Sequence, residues 1–369
     1  MDEIKSNPCH SQTEPSSLLG CSLVRKNVFS QVVFWVASIA LISKAVYRLY
    51  LAIITPIDVS EPTTVINSYE NILNQMYALC LGLIIMHFEV NRSLYIEYLD
   101  CYQTIVSNHF GKASLEFVKK WVKIIRFYVI VAFIYEVITT STNNYLRYFN
   151  KFGFTLNMGA IIFFDWIVQL SYIFSLQFVM ECCIYCQSTF IPINALLDTL
   201  LNRNKLSSPL TINRMAKSTR LYYIKTIKSI IYMDKFLSYA VLVFYLYFIG
   251  HCIFIFSSTL NIGHSLYMLC YSVFRFFGES SYLVLVTYHL IRVNQLSVQI
   301  FDKVYQLSFS FSSDQSIAAV NEINLFLLRV NRNDVGFTFA GLCLVSPSFV
   351  SSLATISLTL GLALPSFSR

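Results

Sequence analysis

Residues 338–365 read TFAGLCLVSPSFVSSLATISLTLGLALP and contain no charged side chain. A membrane-spanning helix needs about 20 consecutive, mainly apolar residues, and this segment is longer than that. It stands near the end of a chain of 369 residues. The segment therefore predicts a transmembrane helix as the last element of the fold.

Six more apolar segments precede this one. The chain is 56% hydrophobic and 13% charged, with a mean hydropathy of +0.58, which leaves too little polar surface for a soluble domain of this length. Aromatic residues make up 16% of it, as suits lipid-facing and interfacial positions. We predict an all-α, polytopic membrane protein with seven transmembrane helices at about 29–54, 72–90, 123–146, 159–184, 236–258, 265–291 and 338–365.

Basic residues predict the orientation of these helices. They collect in the N-terminal tail 1–27 and in the loops after spans two, four and six, above all between 203 and 235. By the positive-inside rule these segments are cytoplasmic, so the C-terminus lies outside, the reverse of a G-protein-coupled receptor. We divide the chain into the cytoplasmic tail 1–27, a six-helix membrane bundle 28–291 with cytoplasmic helical extensions at about 185–235, cytoplasmic anchor helices 292–337, and the last helix with a short outer C-terminus 338–369.

The cytoplasmic segments carry apolar stripes at helical spacing. One continues span six, a second precedes span seven, and a third lies before span five. Two interpretations are open: the stripes pack on each other or on neighbouring subunits, or the helices lie on the inner leaflet of the membrane. The stripes are Leu296, Ile300, Val304 and Leu307; Ile317, Val320, Ile323, Leu327 and Val330; and Leu221, Ile224, Ile227 and Ile231.

The last span carries a row of hydroxyl groups. Ser348, Ser352, Thr355, Thr359 and Ser366 are spaced by 4, 3, 4 and 7 positions, which places them on one helical face. Such a face suits a water-filled pore, because hydroxyls replace part of the hydration shell of an ion. It equally suits a tight seam between two helices, with each hydroxyl bonded to the carbonyl one turn back.

The end of the chain resembles insect gustatory receptors. Their seventh span ends in Thr-Tyr, five apolar residues and Gln-Phe, and this chain has the same spacing. Thr359 and Phe367 match, while Leu360 replaces the tyrosine and Ser366 replaces the glutamine. The resemblance covers the whole chain as architecture and only residues 336–367 as sequence, where a Gly-Phe pair also precedes the span.

The resemblance implies a ligand-gated, non-selective cation channel of four subunits, alike or related, that serves taste in the plasma membrane of sensory neurons. The last helix of each subunit would line one pore, and its outer end would form the gate. The pore and gate residues would be Phe367, Ser366, Thr359, Thr355, Ser352 and Ser348. The alternatives are a non-conducting gustatory-receptor-like membrane protein and a transporter.

Ionisable residues inside spans are functional candidates by default. Glu136 and Asp165 lie in the outer parts of spans three and four, where carboxylates and aromatic rings would suit a polar or cationic tastant. The tentative ligand pocket comprises Glu136, Asp165, Trp166, Tyr135, Thr139 and Thr140. The alternative is simple pairing of either acid with Lys44 or Arg48 of span one.

Two further features of the spans suggest structural roles. Arg275 and Glu279 stand four residues apart in span six and can form an ion pair with each other. His251 and His264 flank a short predicted outer turn, where hydrogen-bonded turn residues are more common than ligands. We expect no cofactor and no metal site, and the chain lacks the sequence motifs of the common enzyme families.

Overall fold

The computed structural model describes residues 17–24, 28–54, 62–106, 111–144, 156–203, 209–261, 266–310, 317–330 and 334–367. Almost all of them are helical. The elements are α1 (Leu18–Val24), α2 (Val28–Ile54), α3 (Pro62–Val90), α4 (Arg92–Val106), α5 (Gly111–Asn144), α6 (Leu156–Ser188), α7 (Phe190–Arg203), α8 (Pro209–Asn261), α9 (Leu266–Ser310), α10 (Ile317–Val330), β1 (Thr338–Phe339), β2 (Cys343–Leu344) and α11 (Pro347–Phe367).

The predicted all-α membrane fold is confirmed. Within the described ranges, four stretches are long and apolar enough to cross a membrane: Phe34–Ile54, Ser68–Val90, Ile162–Asn202 and Leu210–Phe256. They correspond to predicted spans one, two, four and five, and α5, α9 and α11 occupy the positions of the other three. The predicted tail 1–27 lies mostly outside the described residues, and the part that is described contains α1.

Two helices are much longer than a membrane requires. The 53 residues of α8 and the 45 of α9 correspond to about 80 Å and about 68 Å at 1.5 Å per residue. The hydrocarbon core of a bilayer is only about 30 Å thick. Each helix is therefore long enough to contain a membrane span and a long continuation, and the predicted cytoplasmic position of these extensions stays a prediction.

Aromatic rings hold α3, α4, α6 and α8 together at one level. Phe236 of α8 stacks on Phe88 with ring centroids 4.8 Å apart and on Tyr95 at 5.5 Å. Phe178 of α6 meets the edges of Phe88 and Tyr95 at 5.4 and 5.5 Å. Because each buried ring removes a large apolar area from solvent, this cluster fixes the positions of four helices relative to each other.

The three apolar stripes differ in how far the subunit buries them. Ile300, Val304 and Leu307 of α9 are fully buried within the subunit. In α10 the stripe is half covered, because Ile323 and Val330 are buried while the N-terminal end is exposed.

The third stripe does not face the interior of the subunit. In α8 only Ile227 of this stripe is buried, whereas Leu221, Ile224 and Ile231 are exposed. The buried face is rotated toward Tyr223, whose hydroxyl bonds Ser297 Oγ at 3.0 Å. The buried face of this part of α8 therefore also carries polar residues that have buried partners, and a pattern of apolar residues alone does not predict it.

A β-hairpin precedes the last helix. The predicted span began at 338, but residues 338–344 form two short antiparallel strands, with Thr338 paired to Leu344 and Phe339 to Cys343. The turn requires a positive φ of 75° at Gly341. Helix α11 begins only at Pro347, where a proline is favourable because the first helical N–H has no partner in the helix.

Candidate ligand cavity and candidate pore helix

A polar cavity of about 120 Å³ lies among α2, α3, α5, α6, α8 and α9. It is unusual for the number of ionisable groups that it holds in a bundle of apolar helices. Its acidic and basic side chains are Lys44, Arg48, Glu70, Glu136, Asp165, Arg275 and Glu279. Charged groups among transmembrane helices are costly, so such a concentration makes this cavity a candidate functional site.

Two ion pairs close parts of the cavity wall. Lys44 Nζ of α2 lies 2.5 Å from Asp165 Oδ1 of α6, as the pairing alternative predicted for this acid. Arg275 Nη1 of α9 lies 3.0 Å from Glu70 Oε1 of α3, and the Glu70 side chain is only 3% exposed. The predicted ion pair of Arg275 with Glu279 is therefore wrong. Glu70, which we had placed in a loop, belongs to a helix that begins at Pro62.

Two further carboxylates face the cavity without such a partner. Glu136 Oε1 accepts a hydrogen bond from the hydroxyl of Tyr282 at 3.3 Å. Glu279 Oε1 lies 3.8 Å from His251 Nδ1, and its Oε2 is buried without a hydrogen-bond partner in the described part of the chain. A buried acceptor without a hydrogen bond destabilises the protein by the free energy of its desolvation, and a bound donor would remove that penalty.

Helix α3 supplies a polar edge that the sequence reading missed. Asn71, Asn74, Gln75 and Ala78 stand at helical spacing and all line the cavity. Gln75 Nε2 donates to Asn71 Oδ1 at 3.3 Å, and His251 Nε2 donates to Asn74 Oδ1 at 3.0 Å. Three amides on one face of an apolar helix were the sequence signal for this polar edge. Because span two was predicted to begin at 72, Asn71 was left outside the helix and the shared face was not recognised.

His251 is not a turn residue. It lies within α8, only 2% exposed, and lines the cavity. The helix continues through the position where an outer turn was predicted to begin, because α8 ends at Asn261. His264, the other histidine of that prediction, lies outside the described residues.

Tyrosine rings form another part of the wall. Tyr77 and Tyr247 stack with ring centroids 3.7 Å apart, and the guanidinium of Arg275 lies 5.9 Å from the centroid of the Tyr271 ring. All three tyrosines line the cavity. Aromatic faces stabilise a cation at van der Waals distance, so this wall and the carboxylates favour the same sign of charge.

The structure brings together four of the six predicted pocket residues: Glu136, Thr139, Thr140 and Asp165 all line the cavity. Tyr135 and Trp166 are not among its lining residues. Tyr135 instead covers Gly278 of α9, where an added Cβ would lie 2.2 Å from the ring, and its hydroxyl donates to the Arg275 carbonyl at 3.2 Å. Its role is to bring α5 and α9 close together.

The hydroxyl row of α11 lies on the surface of the single chain. Ser348, Ser352, Thr355 and Thr359 are all exposed, and the side of the helix turned toward its own subunit carries Phe349, Val350, Leu353 and Ser357. The hydroxyls of Ser352, Thr355 and Thr359 donate to the carbonyl four residues earlier at 2.9 to 3.0 Å. The row is thus not a seam between helices of one subunit.

The end of α11 is described only as backbone. Helix α11 runs to Phe367, while the side chains of Ser366 and Phe367, the predicted gate, lie outside the described residues. Their roles stay predictions.

A second cavity separates α11 from α8 and α9. It measures about 320 Å³ and is lined mainly by apolar side chains, among them Phe256, Phe276, Leu283 and Leu353. Helix α11 therefore does not fill the space between itself and α8 and α9 at this level.

Comparison with solved structures identifies the fold as that of insect olfactory receptors. The structure of the olfactory receptor OR5 from Machilis hrabei in complex with eugenol matches with a TM-score of 0.69 at 11% sequence identity, over 92% of this chain and 90% of that chain. Another structure of OR5 gives a TM-score of 0.67 at 13% identity with the same coverage. No family model and no curated protein matches the sequence.

Proposed function

We propose that this chain is one subunit of a ligand-gated cation channel of the insect chemoreceptor type. The observation that carries the proposal is the hydroxyl row of α11, which faces outward from a subunit that has the fold of an olfactory receptor. The hydroxyls of Ser352, Thr355 and Thr359 donate to their own helix and keep acceptor lone pairs, which water in a pore or another subunit would satisfy. Four such helices around one axis would enclose a hydroxyl-lined path for cations.

The polar cavity is the proposed ligand site. It is set apart from α11, since none of its lining residues belongs to that helix. The olfactory receptor OR5 was solved in complex with a small molecule, eugenol, which supports a small-molecule ligand here. The end of the sequence favours the gustatory branch of these receptors, acting in the plasma membrane of sensory neurons.

Cysteine accessibility during current recording tests the pore. Thr355→Cys places a thiol on the exposed row, and Leu353→Cys places one on the side that faces the subunit. In cells that give ligand-evoked current, a water-soluble methanethiosulfonate cation should block Thr355→Cys and leave Leu353→Cys unaffected. The unmodified chain is the necessary control because Cys270 and Cys343 are exposed.

Four results would count against the channel. Block of Leu353→Cys without block of Thr355→Cys would place the wrong face in the pore. A purified protein that never exceeds one subunit in lipid nanodiscs would contradict the tetramer. Ligand-dependent substrate flux into vesicles without current would favour the transporter, and surface delivery without either activity would favour a non-conducting relative.

A further inference from the structure

The charges that line the polar cavity do not balance. Four carboxylates stand against one lysine, two arginines and His251, and Lys44 and Arg275 are already engaged in ion pairs with Asp165 and Glu70. The remaining acids, Glu136 and Glu279, form no ion pair with a lysine or arginine within 4.0 Å among the described residues. Both side chains are about 95% buried.

Hydrogen-bond acceptors in the cavity are also in excess. Glu279 Oε2 and Gln75 Oε1 are buried acceptors with no partner among the residues with described positions, and the hydroxyl of Tyr77, which can donate or accept, has none there either. All three side chains line the same cavity and are more than nine-tenths buried. A buried acceptor of this kind is stabilised by a donor that enters from outside the protein.

A metal ion fits these groups poorly. No three histidine, cysteine, aspartate or glutamate side chains converge as metal ligands anywhere in the described ranges. The lining also includes the rings of Tyr77, Tyr247 and Tyr271, which favour an organic cation over a hydrated metal ion. The volume of about 120 Å³ corresponds to roughly four water molecules at about 30 Å³ each, more than a bare ion fills.

We propose that the cavity binds a small protonated amine, with its ammonium group held by Glu279 and Glu136. A primary ammonium has a positive charge and three N–H donors, which meets both the charge excess and the excess of acceptors. The amide oxygen of Gln75 is a further acceptor, and the stacked rings of Tyr77 and Tyr247 contact the carbon skeleton. The proposal rests on the ligand site proposed above but not on conduction.

The test is a binding measurement on the purified full-length protein in lipid nanodiscs. The probes are n-butylamine, the neutral isostere 1-butanol, and tetramethylammonium, which has the charge but no N–H donor. Thermal unfolding at increasing probe concentration gives the affinity without any electrical readout. We expect n-butylamine to raise the unfolding temperature, tetramethylammonium to do so weakly, and 1-butanol to have no effect.

Isosteric amides provide the matched variants. Glu279→Gln should weaken n-butylamine binding by about tenfold or more, as the loss of one charge-assisted contact predicts, and Glu136→Gln should act in the same direction. Glu116→Gln changes an exposed glutamate of α5 outside the cavity, so it should leave binding unchanged. A folded Glu136→Gln protein keeps the test decisive where Glu279→Gln fails to fold.

Each outcome decides the proposal. Equal stabilisation by amine and alcohol, unchanged amine binding in both cavity variants, or stabilisation by sodium or calcium alone would overturn it. Amine binding without any current would leave it standing and refute the channel instead. Current evoked by other ligands, with no amine binding, would refute the amine and leave the channel intact.

Discussion

Removal of Arg275 is expected to destabilise the protein more than removal of its partner Glu70. The two side chains are 15% and 3% exposed, and their charged atoms are 3.0 Å apart. Loss of one member of a buried ion pair costs about 3–5 kcal/mol, because the other charge is left without compensation. Arg275→Met should cost this full amount, since it leaves Glu70, Glu136 and Glu279 in one cavity without this cation.

Glu70→Gln should cost less, about 1.5–3 kcal/mol, the usual value of a hydrogen bond to a charged group. The reason is that Arg275 keeps a carboxylate on its own helix, Glu279, one turn further on and lining the same cavity. The glutamine is isosteric, so the packing of α3 on α9 is preserved.

Unfolding by SDS in mixed micelles, followed by intrinsic fluorescence, measures both variants against the unmodified chain. Lys303→Met is the control, because it breaks the more exposed pair with Asp198 and should cost less than about 1 kcal/mol. Equal losses for Arg275→Met and Glu70→Gln, or losses no larger than the control, would refute the account of the cavity as a charge-paired site.

Three further predictions concern packing and the hairpin. Gly278→Ala should destabilise the protein by about 1–3 kcal/mol in the same assay, because its Cβ would collide with the ring of Tyr135. Gly82→Leu should lower stability by a similar or larger amount, since even a Cβ there would lie 2.8 Å from a side chain of α2. Thr338→Val removes the hydroxyl that donates a hydrogen bond to the Asp234 carboxylate at 2.9 Å. We expect a loss of about 1.5–3 kcal/mol in the free energy of unfolding and faster hydrogen exchange confined to the hairpin.

The helical layout follows from composition, and the site follows only in part. Long apolar segments specify membrane helices because lipid leaves the backbone no other partner, so the presence and order of these helices were predictable. Two predicted starts were less accurate, since α3 begins ten residues before predicted span two and α11 nine residues after the predicted start of span seven. Four of the six predicted pocket residues line the cavity. Two of them, Glu136 and Asp165, are ionisable, and an ionisable side chain in a membrane span faces the protein interior or water rather than lipid.

The remainder depends on which helices are neighbours. Glu70 and Arg275 are 205 positions apart, and no local pattern indicates that they pair. The spacing of Arg275 and Glu279 suggested a local bridge, and tertiary packing overrode it. In the same way, residues 338–344 are apolar enough for a helix, but Asp234 accepts the backbone N–H of Thr338 at 2.6 Å and holds them as a strand.

One helix reaches both the cavity and the start of the candidate pore helix. Helix α8 places His251 in the cavity and Asp234 on the hairpin before α11, about 25 Å apart along its axis. Midway between them, the hydroxyl of Tyr245 bonds Thr287 of α9 at 2.8 Å. We expect the proposed ammonium, bound between Glu279 of α9 and Glu136 of α5, to shift α9 against α8, the helix that anchors the hairpin before α11. Because a continuous helix moves as a rigid element, we expect a displacement of α8 at the cavity to reach the hairpin.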